Sequence, residues 1–263
     1  MILGIDHLVI VVGDLDRAAD DFRQLGFTVV AGGRHPVGSH NALISFQDGS
    51  YLEIIAFYRE ALDHRWWAPL QKSERLVDYC LRTDNLAADT EKLQAAGVAI
   101  NNPVPWSRMR PDGFELKWLL SLATGSHRGV APFLIEDVTP RSERVPQQFA
   151  HANGSAGIAK LTVAVGELAE VDHWYRALLG ARGNRVRSDS LRAEGLSYAI
   201  GPHRLEFLKP YDPASPLVNW LREFGSSPYS VTLTSSHPAP RALKPGLCHG
   251  ANLLLTGTPE DRV

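Results

Sequence analysis

Two residues that can bind a metal or transfer a proton lie inside stretches that otherwise resemble buried strands. His7 interrupts "GIDHLVIVV", and Glu53 interrupts "SYLEIIAF". Imidazole and carboxylate groups bind first-row divalent ions and also serve as general acids and bases. A lone histidine in a strand is more often structural, and a lone glutamate can face solvent. The repeated framework around the two residues is what makes them informative.

That framework occurs twice in the chain. "GIDHLVIVVGDL" from Gly4 is matched by "GIAKLTVAVGEL" from Gly157, and the same offset of 153 residues places Glu206 opposite Glu53. Lys160 stands in the second copy where His7 stands in the first. A lysine beside a glutamate can form an ion pair, so we expect the first copy to be active and the second to be degenerate. The alternative is that Lys160 extends to solvent.

Two weaker copies complete the pattern. "LVDYCLRTDNL" places Asp78 at the position of His7 with an offset of 71, and a fourth copy extends from "SPYSVTLTSS" to "GANLLLTGTP" without a clear helix. Each clear copy contains a strand, an amphipathic helix and about three further strands. The predicted fold class is therefore α+β, built from repeated βαβββ modules.

The repeats also predict two halves, divided at a polar segment with Pro and Gly between residues 139 and 155. The first half covers residues 1–145, with modules at about 1–58 and 75–140. The second covers residues 150–263, with modules at about 155–210 and 228–258.

The module pattern resembles the vicinal oxygen chelate superfamily, which includes glyoxalase I and the extradiol dioxygenases. "DHLVIVVGDLDRA" and "GGRHPVGSHNALISFQDGSYLEIIA" are similar to its glyoxalase-like subgroup. The resemblance covers the first module well, the second moderately, the third at its ends and the fourth weakly. It implies that modules pair into curved mixed sheets that enclose a pocket. It also implies a divalent metal held by residues on the first and last strands of each module.

Carried over by position, the resemblance makes His7 and Glu53 the metal ligands of the first module and Asp78 a ligand of the second. The last-strand position of the second module is either Glu136 or Ile135. His40 is a further candidate ligand, ranked lower because it lies on neither a first nor a last strand. Asp78 departs from the usual residue at its position, so the metal (Zn, Ni, Mn, Mg or Fe) and its presence stay open.

The remaining candidates are residues for proton transfer and for binding a substrate. Glu53 or Glu136 is the expected catalytic residue. Arg82 shares a strand face with Asp78 and Cys80 and can hold a carboxylate or phosphate bidentately. The other candidates for substrate contacts are Asn41, Arg110 with its neighbour Arg108, and Trp118 with Trp106 as apolar walls. Cys80 is more often a small buried residue than a nucleophile.

Composition excludes several classes of function. A formal net charge of -2 gives no basic field for nucleic acid. The first apolar run is far shorter than the roughly 20 residues that span a bilayer, and it lacks the features of a signal peptide. Two cysteines exclude a disulfide framework and a four-thiolate zinc site. We expect a cytoplasmic monomer or homodimer whose partner is a small-molecule substrate, with no nucleic acid and no membrane.

The predicted function is a metal-dependent glyoxalase-like enzyme of the lyase, isomerase or dioxygenase type, acting on a small oxygenated organic molecule. The alternative is a metal-free binding or resistance protein of the bleomycin-resistance type, which keeps the paired modules and holds a ligand without metal. The departure at Asp78 keeps this alternative open.

Overall fold

The structure is a computed structural model that describes residues 1–236 and 240–257. The strands of its first half are β1 (Ile2–Val11), β2 (Val30–Arg34), β3 (Ser39–Ser45), β4 (Tyr51–Phe57), β5 (Arg75–Thr83), β6 (Val104–Met109), β7 (Glu115–Ser121) and β8 (Phe133–Asp137). They close into a barrel in the order β1-β4-β3-β2-β6-β7-β8-β5. Two modules of the same chain therefore enclose the pocket of the first half.

The second half forms an open sheet. Its strands are β9 (Ser155–Ala164), β10 (Asn184–Ser188), β11 (Ala193–Ile200), β12 (His203–Pro210), β13 (Ser227–Ser235), β14 (Arg241–Ala242) and β15 (Asn252–Gly257). They are ordered β10-β11-β12-β9-β13-β15-β14. The expected fourth module is reduced to three strands in its described part, and the predicted end of the second half, at 258–263, lies outside the described residues.

Six helices in the described residues connect or flank these strands. They are α1 (Leu15–Gln24), α2 (Trp67–Lys72), α3 (Leu86–Ala95), α4 (Arg141–Arg144), α5 (Ala169–Leu179) and α6 (Pro216–Phe224). The N-cap residue Asp14 accepts a hydrogen bond from the Arg17 backbone N–H at 3.0 Å, which satisfies a free donor at the start of α1. Ala18, Ala19 and Phe22 form the buried face of α1. The predicted α+β fold with curved sheets is confirmed.

Strand register reproduces both repeat offsets. β1 pairs with β4 through His7–Tyr51 and Val9–Glu53, and β9 pairs with β12 through the positions 153 residues later, Lys160–Arg204 and Thr162–Glu206. β1 also pairs with β5 through His7–Cys80 and Val9–Asp78. Adding 71 to His7 and Val9 gives Asp78 and Cys80, so the pairs His7–Cys80 and Val9–Asp78 are equivalent by the repeat. Asp78 is therefore the structural equivalent of His7, as the sequence predicted.

The last strand of the second module differs from the prediction. β5 pairs with β8 through Cys80–Phe133, just as β1 pairs with β4 through Val9–Glu53. Phe133, and neither Glu136 nor Ile135, is thus the equivalent of Glu53. The offset grows from 71 at the first strand to 80 at the last, because the connections inside the second module are longer. The offset of 71 found at the first strand therefore points to the wrong residues on the last strand.

One apolar core continues across both halves. Leu8 and Ile10 of β1, Tyr79 of β5 and Tyr175 of α5 belong to it. The hydroxyl groups of Tyr79 and Tyr175 are hydrogen-bonded to each other. The opposite face of β1 carries Val9 into a second apolar cluster inside the barrel. Alternation along the strand thus gives β1 one face for the helices and one for the pocket.

The predicted ion pair of the second half is confirmed, with Lys160 Nζ 2.9 Å from Glu206 Oε2. The lysine side chain is 34% exposed and the glutamate 12%, so solvent screens the pair only in part. We expect a coupling of about 0.5–1 kcal/mol in the free energy of unfolding. Urea unfolding of Lys160→Met, Glu206→Gln and the double variant measures it. The more exposed pair Lys209–Glu167 is the matched control and should show no coupling. Additive effects at Lys160 and Glu206 would contradict the expectation.

Candidate functional site

A small cavity of about 60 Å³ lies inside the barrel. We call it the inner cavity. Both modules contribute to its lining, which consists of His7, His35, Ser39, Asn41, Tyr51, Glu53, His64, Trp106, Arg108, Trp118, Leu120, Phe133, Ile135 and Arg144. A concave space that combines apolar walls with a few converging polar groups is typical of ligand sites.

His7 is held in a fixed orientation within this cavity. Its Nδ1 lies 2.7 Å from Asp6 Oδ1, and its Nε2 lies 3.4 Å from Glu53 Oε2. The imidazole stacks on the Tyr51 ring at 4.7 Å and meets the Phe133 ring edge-on at 5.3 Å. A carboxylate on one ring nitrogen fixes which tautomer the histidine adopts, so the other nitrogen is directed at Glu53.

Asp6 is itself held by two arginines from the connection after the barrel. Arg144 donates to both Asp6 carboxylate oxygens, at 3.0 and 2.9 Å, and Arg141 donates to one of them. Arg144 also donates to the Tyr51 hydroxyl at 2.8 Å. Burial raises the pKa of Asp6, but the charges of Arg144 and Arg141 outweigh it and hold that pKa well below its ordinary value. Asp6 is therefore a carboxylate that positions His7.

Glu53 is the acidic group that faces the inner cavity. Asn41 Nδ2 donates to Glu53 Oε1 at 2.5 Å. Burial raises the pKa of Glu53, but His7, His35 and the bond from Asn41 together bring it below its ordinary value. Glu53 is therefore ionised near neutral pH and can accept a proton.

Arg108 brings a buried positive charge to the same cavity. Its side chain is 3% exposed, and its two hydrogen bonds go to uncharged acceptors, Asn41 Oδ1 at 3.1 Å and the Arg144 carbonyl at 3.2 Å. Its Nε is buried without a hydrogen-bond partner in the described part of the chain. A buried guanidinium with an unused donor is costly unless a ligand oxygen completes it. This favours a ligand with a carboxylate or carbonyl group.

Two further histidines in the lining stay neutral at physiological pH. Burial lowers the pKa of His35 to about 4, and burial together with the charge of Arg65 lowers that of His64 to about 4. His35 Nδ1 lies 3.0 Å from the Ser39 hydroxyl. Both rings therefore act as hydrogen-bonding groups without charge.

His35 should make folding stability depend on pH. In the unfolded chain its pKa is about 6.5, and in the folded protein it is about 4, so the unfolded state binds more protons between these values. Stability is lost as pH falls through this window, by about 2 kcal/mol between pH 7.5 and pH 5. Urea unfolding at both pH values should show a smaller loss for His35→Gln. His173→Gln, which removes an exposed histidine, should keep the wild-type loss.

Six of the candidate residues named from the sequence meet at the inner cavity. They are His7, Asn41, Glu53, Trp106, Arg108 and Trp118. Glu136 does not join them, because its carboxylate accepts a hydrogen bond from the Leu86 backbone N–H at 2.8 Å and so caps α3 outside the barrel. The structure therefore places Glu136 apart from the other predicted site residues.

Asp78 and His40 do not complete a metal site. Asp78 is 1% exposed, forms an ion pair with Arg65 at 2.7 Å and accepts a hydrogen bond from Trp66 Nε1 at 2.9 Å. His40 alternates with the pocket-facing Asn41 and packs edge-on to Tyr58 at 5.9 Å. The structure therefore does not bring these two predicted ligands to His7 and Glu53, since Asp78 is already paired and His40 lies on the other face of its strand.

The two predicted anion-binding arginines also lie elsewhere. Arg110 pairs with Asp112 at 2.6 Å and Glu143 at 2.8 Å near the surface. Arg82 is half-buried outside the lining of the inner cavity, where Arg141, Asp6 and Asp137 act on it electrostatically. Arg108, two residues before Arg110, is the arginine that faces the cavity.

Sequence reasoning missed Tyr51, Arg144 and His64. Tyr51 had a usable signal, because it lies two residues before Glu53 and alternation puts both on one strand face. Arg144 and His64 come from connections between modules. Strand periodicity carries no information about such segments.

The residues present do not fit the four-ligand metal site that the resemblance implies. Asp78 is neutralised by Arg65, and Phe133 replaces the fourth ligand. Among the described residues, Asp6, His7 and Cys80 form the one group of three possible ligands whose atoms lie within 4.8 Å of one another. Asp6 is occupied by two arginines, and burial raises the pKa of Cys80 well above its ordinary value. Neither is suited to bind a cation.

Gly32 leaves the space that Asn41 and Arg108 occupy. A Cβ at this position would lie 2.0 Å from Asn41 Oδ1 and 2.5 Å from an Arg108 nitrogen. We expect Gly32→Ala to displace both side chains and to lower the free energy of unfolding by about 1–3 kcal/mol. Gly166→Ala is the matched control, because its added methyl group meets no atom within 4 Å. Equal stability of the two variants in urea unfolding would contradict this account.

Comparison with known proteins defines the family. Residues 5–179 match the family described as a glyoxalase-like domain, so the chain belongs to that family. This confirms the resemblance predicted from the sequence. A comparison with curated proteins finds no match. In the described part of the chain, no helix is long and apolar enough to cross a membrane.

Two solved structures show the same fold. A hypothetical protein from Staphylococcus aureus is 15% identical, with a TM-score of 0.70, and the alignment covers 97% of this chain and 99% of that one. A 4-hydroxymandelate synthase mutant from Streptomyces coelicolor is also 15% identical, with a TM-score of 0.63, covering 89% of this chain and 71% of that one. At these identities the likeness concerns the fold alone.

Proposed function

We propose that this protein is an enzyme that transfers a proton at the carbon beside the carbonyl group of a small organic acid, as an isomerase does. The observation that carries the proposal is the pairing of two buried opposite charges on one small cavity, the Glu53 carboxylate and the Arg108 guanidinium. The first can take a proton, and the second can stabilise the negative charge that results.

Each group has a distinct role in this reaction. Arg108 binds a substrate oxygen with a terminal guanidinium N–H beyond the two that bond to Asn41 and to the Arg144 carbonyl, and it stabilises that oxygen as negative charge develops during proton removal. Glu53 accepts the proton from carbon. His7, oriented by Asp6, places Nε2 at 3.4 Å from Glu53 and can exchange a proton with it. The apolar walls limit the entry of water, which strengthens these electrostatic interactions.

Proton transfer fits the residues better than dioxygenase chemistry does. Non-haem iron oxygenases use a face of two histidines and one carboxylate. The described residues contain no such group with ligand atoms mutually within 4.8 Å.

The experiment is solvent exchange in D₂O, followed by proton NMR. Pyruvate and its longer 2-oxo acid homologues are the probes, because each has exchangeable hydrogens beside its carbonyl. We expect the wild type to catalyse deuterium uptake, to retain this activity with EDTA, and to lose it in Arg108→Met. Asp112→Asn, on the exposed surface, should match the wild type. Activity that disappears with EDTA and returns with a divalent ion would overturn the metal-free proposal.

A metal-free binding protein remains the second candidate. The loss of two of the four ligand positions, at Asp78 and Phe133, favours it, because a protein that only holds its ligand needs no metal. In that case calorimetry would detect saturable binding of the same 2-oxo acids, dependent on Arg108, without any deuterium uptake.

A further inference from the structure

A larger cavity lies directly beside the inner cavity. Its volume is about 630 Å³, against about 60 Å³ for the inner one. His64 and Trp106 line both cavities, so these two side chains form the boundary between them. We call the larger space the outer cavity.

The inner cavity is too small for a whole substrate. A water-sized group needs about 10–15 Å³ of such space, so the inner cavity of about 60 Å³ holds about four to six of them. This matches one carboxylate with its neighbouring carbonyl. Any further atoms of the molecule must extend past His64 and Trp106 into the outer cavity.

The outer cavity has apolar walls and an acidic rim. Val37, Leu62, Trp106 and Leu122 supply apolar surface, and Leu62 is 71% exposed. Val37 is also exposed, at 39%, and exposed apolar side chains that line one cavity together mark a surface suited to an apolar ligand. Glu60 and Asp63 are the acidic residues of the lining, and its one arginine, Arg65, is already paired with Asp78. A second negative charge on the ligand would therefore be repelled.

One wall of the outer cavity is a segment that we call the cap, residues 58–66. Its Arg65 forms the buried ion pair with Asp78, and its Trp66 donates to the same carboxylate. At the other end, the Tyr58 hydroxyl donates to the His35 carbonyl at 2.9 Å. Asp78, the equivalent of His7 in the second module, thus anchors the cap that shapes this cavity.

We infer that the substrate has two parts: a carboxylate and carbonyl head in the inner cavity, and an uncharged apolar tail of several carbons in the outer cavity. This inference rests on the proposed function for the head. It adds a preference for long or aromatic monocarboxylic 2-oxo acids over pyruvate and over dicarboxylic 2-oxo acids.

Calorimetry with a homologous series tests the tail. The probes are pyruvate, 2-oxobutanoate, 2-oxopentanoate and 2-oxohexanoate, with 2-oxoglutarate as the dicarboxylate. Each added methylene should tighten binding up to about threefold to fourfold, the value for full burial of a CH₂ group. Leu62→Asp should remove most of this gain. Val138→Asp is the control, because Val138 is 60% exposed and lies outside both linings.

The outcomes separate the inference from the proposed function. Equal affinities along the series, with binding still dependent on Arg108, would overturn the tail and leave the function standing. The opposite result is an affinity that rises with chain length, falls in Leu62→Asp and is unchanged in Arg108→Met. Together with an absence of deuterium uptake, it would support the apolar tail and overturn the proposed function. If 2-oxoglutarate binds as tightly as 2-oxohexanoate, the acidic rim does not select against a second negative charge on the ligand. No binding by any probe would overturn both.

Discussion

Replacing Glu53 with glutamine should lower the rate of deuterium uptake by 2-oxo acids about 10²–10⁴-fold, the usual contribution of a general base. Glutamine keeps the size of the side chain and can still contact Asn41, but it cannot accept the proton. The pKa of Glu53 lies below its ordinary value, so the wild-type residue is already ionised at pH 7. The rate is measured by NMR at saturating 2-oxohexanoate.

The repeat supplies the matched control for this experiment. Glu206 occupies the position of Glu53 in the second half, but it is paired with Lys160 at 2.9 Å. Glu206→Gln should leave the exchange rate unchanged. A loss of exchange in Glu206→Gln, with full activity in Glu53→Gln, would mean that the active and degenerate halves are assigned the wrong way round.

The sequence predicted the parts of the site that the repeat encodes. An offset of 153 identified Lys160 and Glu206, and the register of β9 and β12 agrees with it. An offset of 71 identified Asp78 as the equivalent of His7. Both succeed because a strand that pairs with fixed neighbours must keep its register, since a slip of one residue would turn its side chains to the other face.

The repeat offsets did not predict which groups the side chains contact, because a residue's position in a strand does not determine its partners in the fold. Asp78 has the right place and face for a metal ligand, but Arg65 of the cap neutralises it. Glu136 lies three residues after Phe133, the equivalent of Glu53, and its carboxylate caps α3 instead. Arg144 enters the site from a connection with no periodic pattern. Tertiary contacts of connecting segments decide these roles, and a single sequence does not reveal them.

Substitutions that break the ion pair of Asp6 with Arg144 should lower the free energy of unfolding more than substitutions that break the exposed ion pairs of this protein. Asp6 is fully buried and Arg144 is 3% exposed, so removing either charge breaks a buried ion pair, although Arg141 still faces Asp6 and Asp137 still faces Arg144. A buried charge that loses all its partners costs about 3–5 kcal/mol, so with these second partners in place we expect Asp6→Asn or Arg144→Met to lower the free energy of unfolding by half of that, roughly 2 kcal/mol. The double variant should lose less than the sum of the two, because it leaves neither of these two charges without its partner.

Urea unfolding at pH 7 measures these losses, and a second arginine provides the control. Arg110 also pairs with two carboxylates, Asp112 and Glu143, but near the surface. Solvent already stabilises its charge, so Arg110→Met should leave the unfolding midpoint close to that of the wild type. If Arg144→Met proves as mild as Arg110→Met, the buried network does not support β1, and the orientation of His7 must come from its stacking on Tyr51 and its edge contact with Phe133.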